Sequence, residues 1–215
     1  MNILLIFIAI NPFNEANFVS LPHRSLSIFS NPAGIGLNPG AELFFTYHPI
    51  IINGGITLGN LGFGLLRTER TTNYELGSGF KLPGAFSLGY ARQFGDTTEN
   101  IIGLICNLNR YLTLGYKTTL GKKKYMQAGA GIRFYGNFLT LAGDMTYEGI
   151  DETTAYYLGC IVNPVYGVMI NLFSDIDWNW HAGIVLGAKK LRLALMYSSP
   201  QKKFTTGIII SAQSF

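Results

Sequence analysis

Charged residues are scarce in this sequence, and long apolar stretches are missing as well. Asp, Glu, Lys and Arg make up 13% of the 215 residues, whereas a typical soluble domain carries about a quarter. The mean hydropathy is positive, at +0.24, yet no stretch approaches the roughly 20 apolar residues of a membrane-spanning helix. Because only helices and closed barrels satisfy their backbone groups in lipid, the chain is predicted to be a β-barrel.

Cysteine and histidine are also few, which excludes several kinds of site. Cys106 and Cys160 are isolated, so the sequence contains neither a CxxC metal motif nor a disulfide framework. The histidines form no HExxH motif; they are His23, His48 and His181. His181 alternates with apolar neighbours in a predicted strand, so we expect it to face the lumen or an interface rather than to bind a metal.

Other motifs that could carry chemistry are weak. The segment Gly115–Lys122 is one residue too long for a phosphate-binding loop, and no Ser or Thr follows its lysine. The basic run Lys122–Lys124 is interpreted as a solvated turn rather than a nucleic-acid site. The acidic residues Glu148, Asp151 and Glu152 have the ligand type of a divalent-cation site, but a solvated external loop is the favoured interpretation. We therefore predict a protein that is not an enzyme, with no catalytic residues, cofactor, metal or nucleic-acid partner.

Glycine, tyrosine and phenylalanine are abundant, with 26, 12 and 15 residues. Glycine disfavours helices and aromatic residues favour strands. From Ala41 onward, segments alternate large apolar side chains, such as Leu43, Phe45 and Tyr47, with small or polar ones. In a membrane barrel the apolar face meets lipid and the other face lines the lumen. Glycine-rich polar faces and aromatic residues near the segment ends favour this arrangement over a soluble β-sandwich.

The segments number about thirteen, whereas a closed bacterial barrel usually has an even number of strands. The predicted fold is therefore all-β, an antiparallel transmembrane β-barrel of about 12–14 strands in the outer membrane. The sequence predicts longer connections at 67–73, 94–100 and 148–154. Tight turns are predicted at Asn53-Gly54, Pro83-Gly84, Asn107–Asn109, Gly136-Asn137 and Asn163-Pro164.

The N-terminal run Ile3–Ile10 has the length of an export-signal core, and cleavage is expected near Ala16 to Ser20. The chain ends on Phe215, and a terminal aromatic residue is common in outer-membrane barrels. Both features agree with export to the outer membrane.

The sharpest motif is Asn31-Pro32-Ala33-Gly34, followed by Asn38-Pro39-Gly40 and the first predicted strand. Proline fixes φ and restricts the preceding residue, so the motif predicts a kinked, extended linker.

An apolar leader comes first, then this motif, then an aromatic-rich strand. This order resembles the start of the FadL-like superfamily of outer-membrane barrels, which includes PorV/PorQ-like proteins. The resemblance implies that Asn31, Pro32 and Ala33, followed by Gly34, belong to an N-terminal hatch. The expected division is a signal peptide at 1–19, a hatch at 20–40 and a barrel at 41–215.

The resemblance implies transport or binding of a hydrophobic small molecule or lipid, with outer-membrane lipid and a hydrophobic ligand as partners. The alternative is a non-conducting scaffold, or an anchor module of a secretion system or larger envelope protein, because the chain is short and its lumen face is glycine-rich. A third hypothesis, a secreted β-sandwich that binds carbohydrate, conflicts with the low charge content. Arg133 and Asp144 fall on polar faces of neighbouring predicted strands, so we hypothesise that they pair in the lumen.

Overall fold

The computed structural model describes residues 11–13, 17–21, 23–37, 40–95, 98–121, 124–149, 153–188 and 190–212. Some sequence predictions lie outside these residues: the apolar leader Ile3–Ile10, Asn38-Pro39, Lys122-Lys123, Asp151-Glu152 and Phe215.

The described residues form a closed barrel of fourteen antiparallel strands, in which each strand bonds to the next and β1 bonds to β14. The predicted fold class is therefore confirmed. The strands are β1 Ala41–His48, β2 Ile51–Leu58, β3 Leu61–Thr68, β4 Thr72–Lys81, β5 Phe86–Phe94, β6 Glu99–Asn107, β7 Leu112–Leu120, β8 Tyr125–Phe134, β9 Leu139–Glu148, β10 Thr153–Val165, β11 Val168–Asp175, β12 Trp180–Ala188, β13 Leu191–Ser198 and β14 Lys203–Ala212.

Helical structure is confined to short pieces. A helix, α1, spans Ser27–Ser30, and two 3-10 turns span Pro32–Gly34 and Tyr135–Asn137. Within the described residues, no helix is long and apolar enough to cross a membrane.

Two predicted turns are wrong. Asn53-Gly54 lies inside β2, where Gly54 is the register partner of Phe45. The chain instead turns at 49–50, between β1 and β2. Asn163-Pro164 lies inside β10 at a register irregularity, and the chain turns at 166–167. The turns at Pro83-Gly84 and Gly136-Asn137 lie between strands, as predicted.

The barrel has two distinguishable ends. We call the end where β1 begins and β14 finishes the near end, and the opposite end the far end. The near-end connections are 59–60, 82–85, 108–111, 135–138, 166–167 and 189–190. The far-end connections are 49–50, 69–71, 95–98, 121–124, 149–152, 176–179 and 199–202.

The alternation predicted from the sequence sorts the side chains between lipid and lumen. In β1, Phe44 is buried while Leu43 and Phe45 are almost half exposed. Large apolar side chains on the outer surface include Leu76, Leu88, Leu141, Leu172, Leu193 and Ile210. Such a surface is stable only in lipid, because monomeric soluble proteins rarely expose an apolar patch of this extent.

The lumen is filled by the chain segment that precedes β1. We call its described residues, 11–13, 17–21 and 23–37, the plug. Its apolar side chains Phe13, Phe18, Ile28 and Ile35 are all completely buried. They form two apolar clusters with inward-facing wall residues, so the core of the molecule lies between the plug and the barrel wall.

Candidate functional site: the plugged lumen and its near mouth

Aromatic contacts hold both halves of the plug against the wall. The Phe18 ring packs edge-on against Phe173 of β11, with ring centroids 5.6 Å apart. The Phe29 ring packs in the same way against Phe44 of β1, at 5.9 Å. Edge-to-face pairs of this kind add to the free energy gained by apolar burial, so the plug is a packed element rather than a loosely held strap.

Asn31 of the NPAG motif is the polar centre of the plug. Its Oδ1 accepts a hydrogen bond from Ala33 N at 3.2 Å and caps the 3-10 turn Pro32–Gly34. Its Nδ2 donates to Val19 O at 2.9 Å, within the plug. The same amide also points at two wall carbonyls, those of Leu104 at 3.2 Å and Tyr116 at 3.4 Å. An asparagine suits this position because its amide both accepts and donates.

A row of wall glycines leaves room for the motif. Gly79, Gly89 and Gly103 are successive register partners across β4, β5 and β6. A Cβ at Gly89 would overlap the backbone of Pro32 and Ala33, and one at Gly103 would overlap the Asn31 side chain. Because glycine has no Cβ, it allows this close approach of two backbones. The glycine content of the predicted lumen face therefore has a packing cause.

Two charged wall residues bind plug backbone groups. Asp144 Oδ2 accepts hydrogen bonds from Val19 N at 2.7 Å and from Gln127 Nε2 at 2.6 Å. Lys117 Nζ donates to Phe29 O at 3.2 Å. These bonds satisfy backbone groups that the irregular plug cannot pair within itself, as burial requires.

Arg133 and Asp144, the hypothesised polar pair, both lie on the lumen face but bind different groups. Arg133 Nη1 donates to Thr113 Oγ1 at 2.8 Å. In the ladder between β8 and β9, Arg133 is opposite Thr140, whereas Asp144 is opposite Gly129, four residues away in β8. Sequence reasoning placed Lys117 on a polar face but did not single it out, and only the plug contact distinguishes it.

A second polar cluster, the near-mouth clamp, joins the plug to the seam between β1 and β14. Glu42 Oε1 of β1 accepts hydrogen bonds from Ser25 N and Ser25 Oγ, at 3.0 and 2.5 Å. Glu42 Oε2 accepts one from Ser211 Oγ of β14 at 2.7 Å. His23 Nδ1 lies 3.1 Å from Glu42 Oε1, and His23 Nε2 contacts the guanidinium of Arg192 on β13.

A pocket of about 510 Å³ opens beside this clamp at the near end. Tyr135, Phe138 and Tyr166 lie around its opening and are strongly exposed. Met169 and Val185 line its inner part and belong to the apolar packing around the plug. The pocket thus leads from an aromatic rim to an apolar floor.

Arg192 is shared by the pocket and the plug. It lines the pocket, contacts His23 and lies over the Phe13 ring at 5.8 Å. A molecule that binds in the pocket therefore lies next to a side chain that holds the plug in place.

The far half of the lumen is lined mainly by polar side chains. His181 is among them; it is 2% exposed, and its ring lies 5.4 Å from that of Phe173. The other buried polar residues of this half include His48, Asn53, Asn73, Glu75, Gln127, Thr146, Ser198 and Thr205. The lumen is therefore polar towards the far end, and the NPAG motif with its glycine row closes it towards the near end.

The expected signal peptide at 1–19 overlaps the plug. Phe13, Phe18 and Val19 are completely buried in the lumen. The boundary at residue 19 stays a prediction.

Comparison with solved structures identifies the fold as that of outer-membrane porins. The outer-membrane protein Omp33 of Acinetobacter baumannii superposes with a TM-score of 0.59 and 6% identity, over 82% of this chain and all of that one. A mutant porin from Rhodopseudomonas blastica gives a TM-score of 0.52 and 9% identity, over 80% of this chain and 98% of that one. The outer-membrane location expected from the sequence agrees with this fold.

Comparison by sequence adds nothing to the comparison by structure. No protein-family model matches the chain, and no curated protein matches it either. The resemblance to FadL-like barrels therefore stays a prediction.

Proposed function

We propose that this outer-membrane barrel takes up a hydrophobic small molecule or lipid at its near-mouth pocket and transports it through the lumen when the plug moves. The pocket is the observation that carries the proposal. Its volume of about 510 Å³ falls in the range of small-molecule sites, which are mostly apolar with a few polar groups that fix orientation. Here the aromatic rim and the floor of Met169 and Val185 supply the apolar surface, and Arg192 supplies the polar group.

The contacts of Arg192 link binding to plug movement. A ligand that draws the guanidinium into the pocket competes with its contacts to His23 and Phe13. A ligand shifts a conformational equilibrium by its difference in affinity for the two states. Occupation of the pocket is therefore expected to weaken the near-mouth clamp, which is the step that transport through a filled lumen requires.

A photoactivatable alkyl-chain probe tests the pocket in reconstituted vesicles, with the labelled residues identified by mass spectrometry. We expect labelling between Tyr166 and Met169 above that of the lipid-facing strand surfaces. The variant Met169→Trp fills the pocket floor and should reduce this labelling several-fold. The matched control Met145→Trp makes the same change on the outer face of β9, where Met145 is 44% exposed, and should leave the pocket labelling unchanged. Labelling of the pocket no stronger than of the outer surface contradicts the proposal.

A non-conducting scaffold or membrane anchor is the second candidate, and the burial of most of the described plug residues favours it. A plug that stays in place blocks the lumen, so such a barrel would work through envelope or secretion partners. Solute uptake by vesicles separates the two functions, because a permanent plug permits no uptake whether or not the probe is present.

A further inference from the structure

The near-end connections are unusually apolar for turns between strands. Turn tips normally carry polar residues, because connecting segments run over the wet surface. Here each of four connections presents at least one large apolar side chain to the exterior. They are Leu82, Leu108, Tyr111, Tyr135, Phe138 and Tyr166, and each is at least 41% exposed. We use the name near rim for these six residues together with the cations Lys81, Arg110 and Lys190.

The charges of the near rim have one sign. Its exposed cations are Lys81, Arg110 and Lys190, and the Arg110 guanidinium lies 4.6 Å from the ring centroid of Tyr111. Among the described residues, the acid at this end is Glu42, which is buried in the near-mouth clamp. The remaining described acids outside the lumen lie towards the far end: Glu69, Glu99, Glu148, Asp175 and Asp177.

The height of the barrel decides where this rim lies. Five of the fourteen strands, β1, β2, β3, β11 and β13, have only 8 residues, and a tilted strand of this length spans roughly 20 Å along the barrel axis. The apolar band of an outer-membrane barrel is about 25 Å tall. The shortest strands therefore fall short of the band height, and the apolar turns of the near end lie at the edge of the band. This brings the near rim to the depth of the lipid headgroups.

We propose that the near rim binds the headgroups of anionic phospholipids, with its aromatic tips between the lipids and its cations on their phosphates. Aromatic side chains favour the membrane interface. Lysine and arginine side chains close to the membrane are attracted to anionic lipid headgroups. A cationic rim without an exposed acid in the described residues matches a headgroup that carries one negative charge. Tyr135, Phe138 and Tyr166 belong both to the near rim and to the pocket, but none of the three cations lines the pocket, so changes to the cations test lipid binding separately from the proposed transport.

Thermal unfolding in vesicles of two compositions tests the proposal. The barrel is folded into phosphatidylcholine vesicles, with or without phosphatidylglycerol, and the loss of its heat-modifiable form on denaturing gels gives the unfolding temperature. A ligand that binds the folded state alone stabilises it, so phosphatidylglycerol should raise this temperature. Salt should diminish the gain by screening.

A pair of charge-matched variants locates the effect. The near variant combines Lys81→Gln, Arg110→Gln and Lys190→Gln. The far variant combines Arg67→Gln, Arg70→Gln and Lys202→Gln, which are exposed far-end positions. Each loses three positive charges. Native mass spectrometry should show retained phosphatidylglycerol in the wild type and the far variant, with affinity falling about fivefold per lost near-rim cation.

Several results would overturn the proposal. One is a wild-type unfolding temperature that does not depend on phosphatidylglycerol, and this result needs no variant to fold. Another is an equal loss in the near and far variants, which would indicate a general charge effect. A third is stabilisation by lipopolysaccharide but not by phosphatidylglycerol, which would assign the rim to a different lipid.

Discussion

Asn31 shows how much one side chain does in a lumen without regular structure. Three backbone carbonyls surround its Nδ2, and the residue is completely buried. An amide donor satisfies these acceptors, whereas a carboxylate of the same shape repels them. The position therefore requires the hydrogen-bond donor of the amide and not only a side chain of this size.

The variant Asn31→Asp is expected to loosen the plug, because it replaces the Nδ2 donor with a carboxylate oxygen, which can only accept hydrogen bonds and faces the same three carbonyls. Leaving buried carbonyls unpaired costs about 1–3 kcal/mol, so the plug should become accessible to protease roughly 5- to 150-fold more often. The measurement is the rate of cleavage within residues 11–37 of the folded barrel. The control is Asn109→Asp, because Asn109 Oδ1 only accepts bonds, from Tyr111 N and Leu112 N, and a carboxylate does the same. Equal cleavage rates for both variants would show that the amide donor has no such role.

For individual residues, the sequence predicted the strand face that a side chain occupies better than the groups that it contacts. The order of NPAG before an aromatic strand singled out Asn31, and alternation placed Arg133 and Asp144 on the lumen face. The Asp144 partner Val19 is 125 residues away in sequence, and the Lys117 partner is a backbone carbonyl of Phe29. Such contacts depend on how an irregular segment folds inside the barrel, and neither periodicity nor spacing encodes that.

Among the elements, the glycine row of β4, β5 and β6 matches the shape of the plug backbone that packs against it. Gly89→Ala is expected to push the plug away from the wall, because its Cβ would overlap the Pro32 and Ala33 backbone and backbone cannot rotate aside. Overpacking of this kind costs about 1–3 kcal/mol, measured as a lower denaturant concentration for plug release. The control is Gly54→Ala in β2, whose Cβ would lie 3.4 Å from Phe44 O, an ordinary contact. A Gly89 variant as stable as the Gly54 variant would contradict the fitted row.

Strand positions were predictable from alternation, but turns were not always so. Asn-Gly is a strong hairpin signal, yet Asn53-Gly54 continues β2 because Gly54 and Gly55 pair with Phe45 and Phe44 across the ladder. In a glycine-rich barrel wall, glycine does not always mark a turn, because it also occurs within strands where the absence of a Cβ leaves room for neighbouring groups. The same ambiguity hid the hairpin at 49–50.

For the whole molecule, closure of β1 onto β14 predicts the resistance to detergent that is typical of a barrel without edges. Expressed with a working export signal, the protein should fractionate with outer membranes. It should also migrate differently on denaturing gels before and after boiling. Material that is soluble without detergent and shows no shift would contradict a membrane barrel.

The near-mouth clamp has a consequence for assembly. Glu42 and Ser211 are register partners at the seam between the first and last strands, and the Glu42 carboxylate that binds Ser211 also binds Ser25 of the plug. Phe13 likewise lies against Gly207 of β14. The last strand of the barrel thus contributes to the binding site of the plug. Plug seating and seam closure therefore share the Glu42 carboxylate, so a barrel that closed without its plug would leave this buried carboxylate without the two bonds from Ser25 and would be less stable.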